Sequence, residues 1–288
     1  MMGKVARKTL LALPLLFTAV FLLLPLGLTV VISFWEKVGL RVVPAFTLRS
    51  YAEFFSGVRF AVHERSLLVA AEVTLAGLLF AYPIAYVLAL RASRQTTRVV
   101  LLLFTIPFLV NHVIRTFSWS YLLSRSGPVN EAVVALGLAD RPVDWLLYSD
   151  FAVFIGLLTS YMPFMVFPLW LALAGIDRRL VEASWLLGAP PLASFFRITL
   201  PLSLPGVFAA VIFGFVGSFG ESAVPIILGG TGYQLMGNAI TSTLDVINFP
   251  LAAAMSSVVV ATMLLLLAIW YVAFDLRSFL GKILRWRL

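Results

Sequence analysis

The feature that most constrains this chain is a series of apolar runs, each near the length a helix needs to cross a bilayer. A hydrocarbon core of roughly 30 Å takes about 20 residues at about 1.5 Å rise each. Six such runs fall at approximately residues 10–33, 66–90, 99–122, 151–174, 203–226 and 251–274. Backbone polar groups find no water in lipid, so runs of this length must be helices rather than open strands. The sequence therefore predicts an all-α, polytopic membrane protein with about six transmembrane helices, most economically one membrane domain over residues 1–288. Pro14, Pro25, Pro83, Pro107, Pro163 and Pro168 lie within these runs. Membrane helices accept them because neighbouring groups re-satisfy the freed carbonyls.

Composition agrees and excludes other classes. The chain is 61% hydrophobic and 12% charged, against about 25% charged in soluble domains. Its 21 Lys and Arg outnumber 13 Asp and Glu, but they sit between apolar runs, which fits charge asymmetry across a membrane and not a nucleic-acid surface. With no cysteine, disulfides, thiolate metal sites and a cysteine nucleophile are excluded. Lys4, Arg7 and Lys8 resemble the start of a signal peptide, yet Leu10 to Ile32 is too long for an h-region and lacks a small-residue cleavage site. It reads as a retained first helix.

Orientation follows from the distribution of Lys and Arg. The N-terminal side holds thirteen: Lys4, Arg7, Lys8, Arg91, Arg94, Arg98, Arg178, Arg179, Arg197, Arg277, Lys282, Arg285 and Arg287. The opposite side holds seven: Lys37, Arg41, Arg49, Arg59, Arg65, Arg125 and Arg141. This places both termini in the cytoplasm of a multi-pass protein. Trp35, Trp119, Tyr121, Tyr271 and Trp286 lie near expected interfaces, where amphipathic rings settle. The loops 34–65 and 123–150 are long enough for short interfacial helices, and an amphipathic stretch after Gly229-Gly230-Thr231-Gly232 runs to Asn248.

One polar segment interrupts the inner face, Asp177 to Pro201. Its first half carries helix formers with apolar residues at helical spacing, Gly188 suits a helix end, and Pro190-Pro191 precedes a second short helix. Such an exposed amphipathic element suits a partner's groove.

This segment resembles the signature loop of ABC importer permeases: Glu-Ala-Ala, three residues, Gly, nine residues, then Ile-x-Leu-Pro. Glu182-Ala183-Ser184, Gly188, Ile198, Leu200 and Pro201 match it, with Ser184 in place of the second Ala. The resemblance implies a binding-protein-dependent importer of the type I fold, in the bacterial inner membrane. It also implies that residues 177–201 are coupling helices docking on a cytoplasmic ATPase dimer. Partners would be that ATPase, holding ATP and Mg, a second permease subunit, an extracytoplasmic solute-binding protein and membrane lipid, with no nucleic acid. This chain has no G-x-x-x-x-G-K-[ST] phosphate loop, so it would bind no cofactor and catalyse nothing itself.

Further stretches resemble the spermidine/putrescine-type permeases: Ile114-Arg115-Thr116-Phe117-Ser118-Trp119, Gly127-Pro128-Val129-Asn130, Leu147-Tyr148-Ser149, Tyr161-Met162-Pro163-Phe164-Met165, Gly237-Asn238 and Phe249-Pro250-Leu251-Ala252-Ala253-Ala254. That branch implies a polyamine substrate and two different permeases, and it also resembles transporters of opines, other amino compounds and phosphonates. Ionisable residues within spans are functional candidates, and Glu72, Arg115 and Glu221 fall roughly 21–27 Å from their inner helix ends at about 1.5 Å per residue. With Phe117, Trp119, Tyr121 and Phe219 they form the candidate substrate pathway, through carboxylate charge and cation–π contact. The bland alternative is that Arg115 neutralises Glu221 or Glu72. Gly206, Gly214, Gly217 and Gly220 on the fifth span suit close helix packing, with a hinge as the alternative. A stand-alone secondary transporter would want inverted repeats, and a membrane enzyme would want clustered catalytic groups. Neither pattern is apparent.

Overall fold

The computed structural model describes Ala12, residues 14–39 and residues 41–273. Lys4, Arg7, Lys8, Arg277, Lys282, Arg285, Trp286 and Arg287, on which part of the orientation argument rests, lie outside the described residues, as do the first residues of the run at 10–33. Among the described residues the regular elements are helices, apart from one two-stranded hairpin. Five helices are long and apolar enough to cross a membrane, or six if one bent pair is a single span.

Contacts divide the chain into two compact units: the described residues through Ala61 with those from Ala239 on, and Val62–Asn238. In the first unit, α1 (Pro14–Ile32) leads to the hairpin of β1 (Glu36–Val38) and β2 (Arg41–Val43), paired Glu36 to Val43. The short α2 (Arg49–Phe55) follows. The last helix, α12 (Phe249–Ala273), packs on α1 and α2. Ser33 Oγ and the Tyr51 hydroxyl lie 2.7 Å apart, and Lys37 donates to the Val246 carbonyl at 2.6 Å.

The second unit holds most of α3 (Val58–Leu90), which begins well before the expected residue 66. It continues through α4 (Arg94–Leu109), α5 (His112–Leu123), α6 (Pro128–Ala135) and α7 (Asp150–Ala174). Then come α8 (Arg178–Leu186), α9 (Pro191–Gly220) and α10 (Ala223–Leu228). A further helix, α11 (Met236–Asp245), occupies the expected amphipathic stretch, and its residues from Ala239 on belong to the first unit.

Two expected spans need correction. The run at 99–122 is not one helix: it breaks at Val110–Asn111 between α4 and α5, and Arg94–Pro107 and His112–Ala135 are bent by 90°. Asn111 caps α5, its Oδ1 accepting from Val113 N at 2.8 Å, so the amides freed by the break are satisfied locally. The run at 203–226 breaks at Glu221, an extended residue between the end of α9 and the start of α10.

Central to this unit is α7, which runs through both of its apolar clusters. One cluster joins Leu157 and Val153 to Val224 and Leu228; the other joins Met165, Leu169 and Leu173 to Ala81, Ala85 and Ala210. Small residues let α9 approach α7 closely. A Cβ on Gly206 would sit 2.5 Å from Ala172 Cβ and 2.7 Å from the Pro168 carbonyl, and one on Gly214 would sit 2.9 Å from Met165 Sδ. Gly77 of α3 holds the same sulfur from another side. Packing is thus what these glycines do, Gly220 excepted, since nothing lies within 4 Å of its missing Cβ.

Two helices widen by one residue just before a proline. In α1 the turn Ala19–Leu23 is a π turn closed by Leu24 N to Ala19 O, with Pro25 next. In α9 the turn Phe195–Thr199 is closed by Leu200 N to Phe195 O, with Pro201 next. Proline has no N–H and its ring crowds the carbonyl four residues back; a wider turn relieves both. The second of these lies inside the segment 177–201.

The loop 124–143 is organised by Asn130. Its side-chain amide donates to Ser124 O and Val143 O, and its Oδ1 accepts from Val143 N at 2.6 Å. A Cβ on Gly127 would lie 2.3 Å from the Tyr121 carbonyl, so Gly127-Pro128-Val129-Asn130 builds a loop. Elsewhere Asp150 Oδ1 accepts from Arg65 at 2.6 Å and from the Tyr233 hydroxyl at 2.7 Å, and Arg65 lies 4.3 Å over the Tyr233 ring. Burial and the Asp150 carboxylate push the Tyr233 hydroxyl up, so it stays a donor.

Candidate functional site

The segment 177–201 is built in three parts. Asp177 caps α8, its Oδ1 accepting from Arg179 N at 3.0 Å. The helix ends in a Schellman motif: Ala189 N donates to Ser184 O and Gly188 N to Trp185 O. This geometry needs a residue in the left-handed region after the helix, and Gly188 supplies it with φ +82°. Pro190 and Pro191 then start the next helix. That helix is not the separate short element the sequence suggests, because it continues through the π turn into α9.

The segment presents an apolar surface. No residue of α8 is buried, and Leu186, Leu187 and Leu192 are 90%, 88% and 70% exposed. Glu182 and Ala183 are exposed beside them, as are Gly188 and Pro201, while Ile198 and Leu200 are half-buried. Leucines this exposed beside charged residues suit docking. Ser184 does more than replace an alanine: its hydroxyl bonds Val181 O at 2.6 Å and meets Ser194 Oγ at 2.7 Å, joining α8 to the start of α9. We expect Ser184→Ala to cost about 0.5–1.5 kcal/mol locally, read as faster amide exchange in α8, with little loss of transport.

The segment is also anchored. Edge-on contacts from Tyr82 and Tyr86 of α3 flank the Phe195 ring at 5.9 and 6.0 Å. Tyr82 hydroxyl lies 2.9 Å from Ser203 Oγ, and Arg178 reaches Ala89 O at 3.3 Å. A push on residues 177–201 therefore reaches α3 and α9 through ring contacts and a continuous helix.

The second site is an open cavity of about 580 Å³ at the two helix breaks. Its wall comes from the α4–α5 bend, from Ser160, Tyr161 and Phe164 of α7, and from Glu221. Glu221 is held on both carboxylate oxygens. Oε1 accepts from Ser222 N at 3.0 Å and Ala223 N at 2.8 Å. Oε2 accepts from the Tyr161 hydroxyl at 2.6 Å and lies 3.0 Å from His112 Nε2. The Tyr161 ring reaches it because Gly217 leaves room: a Cβ there would sit 2.2 Å from that ring. Gly237 closes on the Glu221 carbonyl, where a Cβ would sit 2.2 Å away.

Of the candidate pathway residues, the structure brings only Arg115 and Glu221 to this cavity. Arg115 does not neutralise Glu221 by direct contact. Its Nη1 donates to Pro107 O at 2.9 Å and its Nη2 reaches His112 Nδ1 at 3.1 Å. Glu72 is exposed elsewhere on α3. Phe117 and Tyr121 are 59% and 66% exposed on the other face of α5. Trp119 packs on an apolar cluster of the same unit, and Phe219 is buried, 5.4 Å from the His63 ring and 6.1 Å from Phe215. His112 and Tyr161 were not singled out from sequence. The available signal was helical spacing: His112, Arg115 and Thr116 share the inward face of α5.

Comparison with known proteins completes the picture. Residues 74–279 match the family described as the binding-protein-dependent transport system inner membrane component. The spermidine/putrescine transport system permease protein PotB of Escherichia coli is 34% identical over 227 residues, covering 78% of this chain and 82% of that one. Its counterpart from Haemophilus influenzae is 31% identical over 253 residues, covering 87% and 88%. The crystal structure of a bacterial ABC transporter involved in import of the acidic polysaccharide alginate shares the fold, with TM-score 0.70 at 17% identity, covering 93% of this chain and 94% of that one. The chain belongs to the inner membrane components of binding-protein-dependent transport systems: it is a multi-pass permease subunit of an ABC importer, served by a solute-binding protein and by a separate ATPase.

Proposed function

We propose that this permease moves a polyamine-type solute, spermidine or putrescine, into the cytoplasm by alternating access. The observation that carries the reading is Glu221, a carboxylate fixed by neutral donors at the edge of an open cavity beside the Tyr161 and Phe164 rings. A carboxylate with aromatic neighbours attracts ammonium groups by charge and cation–π contact. The names of the relatives in Escherichia coli and Haemophilus influenzae support it. A second, non-identical permease as partner follows from the resemblance of the quoted stretches to the polyamine branch. The charge distribution supports cytoplasmic termini, which sets residues 177–201 against the ATPase dimer. There Glu182, Ala183, Ser184, Gly188, Ile198, Leu200 and Pro201 form the docking element. ATP and Mg belong to that partner.

Arg115 in the same cavity favours a second reading, an opine, another amino compound or a phosphonate whose anionic group meets the guanidinium. ATP hydrolysis by the reconstituted complex, with cognate binding protein and a panel of polyamines, opines and phosphonates, decides between them. Polyamines alone should stimulate; stimulation by phosphonates alone would overturn the polyamine assignment. Glu221→Gln should raise the polyamine concentration for half-maximal uptake about tenfold or more, since a desolvated charge contact is worth at least about 1.4 kcal/mol. Unchanged kinetics would remove Glu221 from the pathway.

A further inference from the structure

The hairpin end of the first unit holds an open groove of about 380 Å³. Ile32 and Trp35 at the end of α1, Val42 of β2, Leu244 of α11, and Phe249 and Ala253 of α12 form its apolar wall. Two hydroxyls also line it, and both are used within their own helices. Thr29 donates to the Pro25 carbonyl at 3.0 Å, and Ser256 donates to the Ala252 carbonyl at 2.9 Å. The wall therefore asks nothing polar of an occupant. Its depth is that of hydrocarbon just below a bilayer surface: Ser256 lies about 10 Å from the start of α12, at about 1.5 Å per residue. Trp35 marks the level of the interface, where indoles settle.

The rim is charged. Lys37 stands directly opposite Val42 in the hairpin register, so the two side chains take one face of the strand pair. Its ammonium donates to the Val246 carbonyl at 2.6 Å, just past Leu244 of the wall. An ammonium has three donors, so two remain for a ligand. Glu36, next in the chain, takes the other face of the strand and pairs with Arg49. Asp245 is exposed nearby, yet among the described residues no carboxylate lies within 4 Å of Lys37 Nζ. An apolar groove with an unneutralised ammonium at its rim matches an amphiphile with an anionic head and an apolar tail.

We propose that this groove is a phospholipid site: an acyl chain lies against Ile32, Val42, Leu244 and Ala253, and Lys37 holds the phosphate, in the leaflet on the hairpin side. A lipid fits it better than a helix of another subunit. A helix about 10 Å across fills roughly 420 Å³ per turn, so the groove holds less than one turn. Every phospholipid chain, by contrast, brings a phosphate to the level of Lys37. One lipid then joins α1, the hairpin, α11 and α12 in a single contact. The site is independent of which solute the permease carries.

Photolabelling of the assembled complex in liposomes tests this. The probe is a phosphatidylglycerol with a diazirine midway along one acyl chain, and labelled peptides are read by mass spectrometry. The exposed stretch from Phe17 to Leu23 of α1 reports contact with bulk lipid. Ser256→Phe fills the groove, so the α12 peptide around Ala253 should label several-fold less than in wild type, while the Phe17–Leu23 peptide stays unchanged. Val42→Trp fills the groove from the hairpin, where an aromatic residue suits a strand, and gives the same readout should Ser256→Phe fail to assemble. Lys37→Gln can still donate to the Val246 carbonyl but carries no charge, and it should cut groove labelling several-fold; Lys37→Arg should keep it. Groove labelling at the wild-type level in the filling variants, or in Lys37→Gln, overturns the proposal. Val42→Cys, in a chain without other cysteines, carries a photoreactive maleimide that captures whatever occupies the groove. Adducts with lipid support the proposal, and an adduct with the second permease overturns it.

Discussion

Gly188→Trp is expected to abolish solute-stimulated ATP hydrolysis and transport while leaving the chain folded in the membrane. Gly188 stands at φ +82°, where a residue with a Cβ costs roughly 1–2 kcal/mol. Nothing lies within 4 Å of the missing Cβ beyond its chain neighbours, so a side chain starts into open space. The local cost is therefore small against the stability of a helical unit. The indole would instead project from the exposed surface formed by Leu186, Leu187 and Leu192. A wedge in the centre of a docking surface should weaken association with the ATPase at least tenfold, or about 1.4 kcal/mol. Gly188→Asn is the control, because asparagine accepts the left-handed region with a far smaller side chain. Both are read by ATP hydrolysis and by co-purification of the ATPase. Wild-type coupling in Gly188→Trp would remove this turn from the interface.

The second large effect is structural. Gly206→Val places a branched side chain where a bare Cβ already meets Ala172 Cβ at 2.5 Å and the Pro168 carbonyl at 2.7 Å. The obstacle is a backbone carbonyl and a Cβ that cannot rotate away, both on α7, which runs through both apolar clusters of its unit. Overpacking typically costs about 1–3 kcal/mol where side chains can yield; here α7 and α9 must separate, so at least the upper end applies. The solubilised complex should lose several degrees of thermal midpoint, on the order of 2–4 °C per kcal/mol at this size, and should accumulate poorly. Gly220→Ala, with open space around it, should be close to neutral. Equal behaviour of the two variants would show that the close approach of α9 to α7 does not set stability.

The helices and the segment 177–201 were legible because each rests on local chemistry. Run length against bilayer thickness defines a span, and Gly188 followed by Pro190 defines a helix end. The helix break at Val110–Asn111 was hidden by composition, since residues 99–122 are apolar enough to read as one run. Pro107 and the capping residue Asn111 carried the signal that the run turns. The candidate pathway fell short for a different reason. Rise per residue gives depth, and depth alone put Glu72, Arg115 and Glu221 together. Rotation decides which face a side chain takes. The buried positions of α3 include Ala70, Val73, Thr74, Gly77 and Ala81, a stripe that excludes Glu72. On α5, Phe117 and Tyr121 fall opposite His112, Arg115 and Thr116. The interlock of Tyr161 with Gly217 was not legible, because it joins two helices far apart in sequence through the absence of a side chain.

The ring contacts of Phe195 with Tyr82 and Tyr86 join the exposed segment to α3, and the unbroken run of α9 leads from it to Glu221 at the cavity. The chain has no cysteine, so Leu187→Cys, at a position 88% exposed, gives a single attachment point for a photoreactive maleimide in the assembled complex. If residues 177–201 dock on the ATPase, a cross-linked adduct with the ATPase subunit forms, altered in yield when ATP is added. An adduct with the solute-binding protein instead, or none with the ATPase, would contradict it.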